Sequence, residues 1–209
     1  MHAGYLGYVY LIATLILFTT GWEGVLAGGI RAREVWRFAA VTALFSFSHL
    51  TFPGLTVRGT VIPLALFLIL SIKRLSSGLE RAVVVGSGIL LAGAGHLTGE
   101  WATAQPALIL TTPEIDFALL LALVLGLGLR DPRYQLPVMT LALLLLDLIN
   151  IAELPGYAER EWAGRAFWDE WWLTLWTARF FSVIVILHIG IWRILRGKWK
   201  PYGGIRKEP

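Results

Sequence analysis

The 209-residue chain contains no cysteine, only two methionines and few charges, with Asp, Glu, Lys and Arg together making up 15%. The missing thiols exclude disulfides, thiolate metal sites and cysteine nucleophiles, although they identify no compartment. So little charge excludes an ordinary soluble surface, because globular chains carry roughly a quarter charged residues. Here 56% of the residues are hydrophobic and the mean hydropathy is +0.67. Low-complexity linkers and internal repeats are also lacking, and no hydrophilic interval is long enough to build a core of its own. Residues 1–209 therefore read as a single integral membrane domain.

What fills the chain instead is seven apolar stretches, over about 4–22, 34–52, 55–72, 82–99, 113–129, 134–154 and from 168–171 to 192. Most approach the roughly 20 residues that cross hydrocarbon at about 1.5 Å per residue. The second to fourth are minimal, and the third is long enough only if Arg58 snorkels outward. The first lacks a basic leader and a clean small-residue cleavage site, so it reads as a retained span rather than a signal. The expected fold is all-α, a polytopic transmembrane helical bundle of seven spans.

Charge alternates between the connecting segments. Arg31, Arg33 and Arg37 follow the first span, Lys73, Arg74 and Arg81 the third, and Arg130 and Arg133 the fifth. The tail 193–209 adds six more cations. The other connections hold only Arg58, Arg160 and Arg165, beside Glu100, Glu114, Glu159, Glu161, Asp169 and Glu170. The positive-inside rule then sets the N-terminus outside and the basic tail in the cytoplasm. Topology accounts for most of the formal charge of +4, so no nucleic-acid partner is implied. The tail is expected against anionic lipid head groups, where each cation contributes about 1 kcal/mol. Trp22, Trp36, Trp101, Trp171, Trp172, Trp192 and Trp199 fall near the proposed water–lipid boundaries. The tryptophan-rich stretch 159–171 reads as an external segment resting on the membrane, with an aromatic cap over a ligand as the alternative.

Polar residues inside apolar spans carry whatever chemistry there is. Asp147 follows four leucines, with Asn150 one turn on and Glu153 nearer the outer end. A lone carboxylate at that depth is costly, so it needs a proton or a partner. Arg179, at a matching count from its own boundary, is the expected partner in an ion pair between the sixth and seventh spans. That pair is either structural or part of a proton or substrate path. His49, His96 and Glu100 sit near outer ends, and His96 and Glu100 share one helical face. They could supply metal ligands, with Asp147 available to complete the set. Histidines satisfied by interhelical hydrogen bonds are the plainer reading. Haem ligation by paired histidines is a weaker alternative, since no second pair or attachment motif is present. Retinal is excluded by the absence of lysine in the seventh span.

The run LGLGLRDPRYQLPVMTLALLLLDLINIAEL, with its Arg130-Asp131 turn between two late apolar segments, resembles the small YphA-type membrane proteins of Gram-positive bacteria. The resemblance implies a bacterial plasma membrane protein of similar length and span order, and it supplies no reaction or catalytic residue. Three functions remain open. His49, His96, Glu100, Asp147, Asn150, Glu153 and Arg179 could line an outer-half polar pocket that binds or passes a small molecule or ion. The bundle could instead be a structural scaffold for a membrane partner or a second copy. A metal-dependent intramembrane hydrolase is the third, and it lacks a visible ligand triad or nucleophile–base pair.

The topology makes a direct prediction. In intact cells, single cysteines introduced at positions 105 and 160 should react with an impermeant label, while those at 33, 77 and 203 should stay protected until the membrane is opened. Labelling of 203 in sealed cells would reverse the assigned orientation.

Overall fold

The computed structural model describes residues 4–22, 30, 32–105, 111–153 and 161–196. These form seven helices, α1 (Tyr5–Thr19), α2 (Ala32–Phe45), α3 (Val61–Lys73), α4 (Gly78–Ala104), α5 (Pro113–Gly128), α6 (Pro132–Glu153) and α7 (Arg165–Leu195). A small sheet of β1 (His49–Phe52), β2 (Leu55–Arg58) and β3 (Glu161–Trp162) accompanies them. By length and composition α4, α6 and α7 are long and apolar enough to cross a membrane, and α1, α3 and α5 are shorter apolar helices.

Helix starts follow local chemistry. Ser77 and Glu80 form a reciprocal capping box at α4, the Glu80 amide donating to Ser77 Oγ at 3.0 Å. Thr112 Oγ1 accepts from the Ile115 amide at α5, with Pro113 in the first turn. At α6, Asp131 Oδ1 accepts from the Arg133 amide at 2.9 Å. The Arg133 guanidinium beside it holds the Asp131 carboxyl below the usual carboxylate range.

Instead of a second span reaching 52 and a third opening at 55, the chain makes an antiparallel hairpin in which His49 pairs with Arg58 and Phe52 with Leu55. Pro53 and Gly54 form its turn, and Gly54 stands at φ +81°, the conformation that favours glycine at the third position of a type II turn. Residues 55–58 hold the adjacent β-branched pair Thr56-Val57, which suits a strand better than a helix start. Arg58 therefore does not snorkel from a helix. It ends β2 and donates through Nε to Glu161 Oε1 on the neighbouring strand. β3 joins β2 in parallel, Thr56 opposite Glu161.

α6 is the central helix, buried along most of its length, while α4 and α7 bury a much smaller share of theirs. Gly88 and Gly95 let α4 approach closely. A Cβ at Gly88 would lie 2.8 Å from Leu141 Cδ2 of α6, and one at Gly95 would lie 2.3 Å from Phe117 Cζ of α5. Gly4 and Gly7 at the start of α1 donate backbone N–H groups to Asp169 of α7 at 2.7 and 2.6 Å. An acid at a helix N-terminus satisfies otherwise orphaned donors and complements the helix dipole.

The tryptophans depart most from expectation. Rather than resting on a surface, residues 161–162 form β3, α7 begins at Arg165, and Trp168, Trp171 and Trp172 are each no more than 2% exposed. Trp168 and Trp171 stack with centroids 5.8 Å apart, and Trp172 meets Trp171 edge-on at 4.9 Å. Phe38 of α2 and Phe67 of α3 close the cluster against Trp171. Their positions, three and four apart, put them on the inward face of one helix. Trp22, Trp36, Trp101 and Trp192 are exposed. Trp199, residues 159–160 and most of the tail 193–209 lie outside the described residues.

The α1–α7 contact is testable at one glycine. A Cβ on Gly7 would stand 2.2 Å from Trp168 Cδ1, whereas one on Gly86 meets nothing within 4 Å. Gly7→Ala should destabilise the purified protein by about 1–3 kcal/mol in thermal unfolding. Gly86→Ala should leave the stability unchanged or raise it, by roughly 0.5–1 kcal/mol.

Candidate functional site

Two ends of the bundle carry the polar side chains. At the hairpin end, His96 Nε2 of α4 lies 3.2 Å from Glu153 Oε1 of α6 and 4.0 Å from Glu100 Oε1 one turn along its own helix. The one-turn spacing thus joins His96 to two acids, both more than half exposed. His49 does not join them, because it is exposed on β1 opposite Arg58. Among the described residues no group of three or more His, Asp or Glu could hold a metal ion, so the ligand set of His49, His96 and Glu100 is not formed. Asn150 is exposed on α6 and lines no described cavity with them.

Asp147 has a different partner from the expected one. Its Oδ2 accepts from the backbone N–H of Ala163 at 2.8 Å. Ala163 has φ 52°, a left-handed conformation uncommon for a residue with a side chain. Its carbonyl accepts from Thr60 Oγ1 at 2.8 Å, so α6 and the start of α3 together grip the turn that leads into α7.

Arg179 lies far from Asp147. Its Nη1 donates to Gln135 Oε1 at 3.0 Å and to the Arg130 carbonyl at 3.2 Å. Gln135 precedes Asp147 by 12 positions on one helix, about 18 Å of rise. The matched depths failed because 161–164 folds back alongside α6, bringing Ala163 level with Asp147. Arg179 consequently lies by the first turn of α6, next to the connection that carries Arg130. There Gln135 Nε2 also donates to Ser182 Oγ at 3.0 Å, and Ser182 Oγ donates to the Gly126 carbonyl at 3.2 Å. This buried network ties α5, α6 and α7 together.

The described cavity adjoins that network rather than the outer-half acids and histidines. It encloses about 370 Å³ between α1, α2, α3, α6 and α7. Phe38, Phe67, Leu136, Trp171, Trp172 and Leu175 form much of its apolar wall. Glu34, Arg37, Ser71, Arg74 and Arg179 supply its polar edge. Arg74 Nη2 pairs with Glu34 Oε1 at 2.5 Å. The indole N–H groups of Trp172 and Trp176 are buried and find no acceptor among the described residues. None of these residues except Arg179 was among the sequence candidates. The available signal was the stripe of residues 168, 171, 172, 175, 176 and 179, which marks one continuous helix face.

No family model, curated protein or solved structure matches the chain.

The polar contacts predict two different double-mutant cycles. Asp147→Asn combined with Arg179→Gln should be additive in unfolding free energy to within about 0.5 kcal/mol, as for separated sites. Gln135→Leu combined with Arg179→Gln should show coupling of about 0.5–3 kcal/mol, as for direct neighbours.

Proposed function

We propose that the chain is a seven-span integral membrane protein that binds an apolar or amphiphilic small molecule in the cleft beside the tryptophan cluster. The observation that carries this reading is the 370 Å³ cavity with aromatic walls and a polar edge. Its size and composition fall in the range of small-molecule sites, which are mostly apolar with a few polar groups. The seven-span reading draws support from the three long apolar helices and from the shorter apolar helices beside them. The cross-helix contacts agree with it. Asp169 meets Gly4 at one end of the bundle, while Tyr134 meets Glu80 at the other. α2 and α3, with 14 and 13 residues, are short for a full crossing and call for tilt or a thinned bilayer. The charge alternation supports an outside N-terminus and a cytoplasmic basic end. The YphA-type resemblance adds the proposal of a bacterial plasma membrane.

A scaffold role is the second reading, favoured by one observation. Asp147, Gln135 and Ser182 spend their polar groups on contacts within the bundle, as residues that specify helix packing do.

Binding separates the two. A neutral, environment-sensitive apolar probe should bind the purified protein saturably. Val41→Trp, which fills the cavity from α2, should weaken binding at least tenfold, a loss of about 1.4 kcal/mol. Leu90→Trp on the exposed face of α4 should not. Non-saturable partitioning, or equal affinities for both variants, would leave the scaffold reading.

A further inference from the structure

Resting on the cleft-binding reading, we infer that the occupant is an anionic lipid, its phosphodiester head group at the arginine edge and its chain against the tryptophans. Three helices that line the cleft change character in the same direction. α2 presents Glu34 and Arg37 before Phe38 and Val41, and α3 presents Leu66 and Phe67 before Ser71 and Arg74. On α7, Trp171 and Trp172 lead through Trp176 to Arg179. Because α2 and α7 run in opposite directions, their polar residues meet at the same end of the space. An amphiphile aligned along it would have its charge at one end and its chain at the other.

Charge selects the sign of the head group. The cleft is lined by three arginines against a single glutamate, and that glutamate is already paired with Arg74. Arg37 is exposed and makes no ion pair among the described residues, which leaves it available to an incoming anion. Arg179 is buried and oriented by Gln135, so its position is fixed before any ligand arrives. Positive-inside topology accounts for Arg37 and Arg74 on this side, and Arg179, which donates to the Arg130 carbonyl, adds a buried cation at the same end. Basic pockets between helices on the cytoplasmic side are established settings for anionic head groups.

From Arg179 to Trp171 along α7 is eight residues, about 12 Å, so a head group and the start of a chain can be met in sequence.

The test compares phosphatidylglycerol with phosphatidylcholine of identical chains, each added to the full-length protein in neutral detergent. Retained lipid is read by native mass spectrometry, and the thermal midpoint is followed against lipid concentration. Phosphatidylglycerol should be retained preferentially and raise the midpoint in a saturable way. Arg37→Gln should cut that preference about fivefold, the factor one cation near the surface contributes. Arg33→Gln, which removes a charge from the same helix but not from the cleft lining, should leave it intact. Equal loss in both variants would overturn the proposal by assigning the preference to general surface charge. Saturation by inorganic phosphate alone, with the same Arg37 dependence, would overturn it in favour of a free anion. Saturable binding of both lipids without preference would refute the anionic head group while sparing the cleft-binding reading. Failure of both lipids and of the neutral apolar probe would remove both.

Discussion

The grip on Ala163 sets the register of the bundle. Its amide is held by Asp147 and its carbonyl by Thr60, so a residue in an uncommon backbone conformation has both polar groups satisfied by side chains. Buried backbone groups have no water to turn to, and an ungripped turn here would leave two of them unpaired. Fixing Ala163 against Asp147 also fixes how far α7 has travelled when it passes each residue of α6. Trp171 then reaches Thr140, with Nε1 donating at 3.1 Å, and Arg179 reaches Gln135. A one-residue shift of this turn would rotate α7 by about 100° and turn its tryptophan face out of the core. Asp147 is thus explained by the turn it holds, without a charged partner across the bundle.

Much of the architecture was legible because it rests on local signals. Ser77 followed by Glu80, Pro113 and Pro132 announce helix starts, and the leucine-rich runs of α4 to α7 announce apolar helices. Pro53-Gly54 was visible as a break, but in so apolar a setting residues 49–58 could be divided between two spans as readily as paired in a hairpin. The tryptophans misled because the same residue type serves a membrane boundary and a packed core. Acids and arginines around 159–170 favoured the boundary, while the helical spacing of 168, 171, 172 and 176 carried the right answer. Depth counting failed at Asp147 and Arg179 because it takes the chain to come level with Asp147 only well inside the seventh span, whereas Ala163, before α7 begins, already pairs with it. Here it doubles back along α6.

The site was the least legible part. His96 and Glu100 share a face as their spacing requires, and Glu153 joins them across the helix interface. Yet the cavity lies elsewhere, assembled from side chains between Thr14 and Arg179 that no short motif connects. Rare polar residues in spans drew attention to the outer half. The space itself is formed by large aromatic residues, whose imperfect packing among five helices is a tertiary property. Sequence shows which residues are costly to bury more readily than where the burial is incomplete.

The acid that caps α1 has a consequence for the order of assembly. Gly4 and Asp169 are separated by 165 positions, so the ribosome makes the donor early and the acceptor near the end. Throughout that interval α1 lacks the acceptor for its first amides, while the internal hydrogen bonds of a helix are complete along most of its length. Emergence of α7 then recruits the oldest helix to the youngest, with Trp168 packing into the gap left by Gly7. Closure of the bundle is accordingly a late event in biogenesis, and a chain truncated before Asp169 would leave its first helix without the partner that caps it.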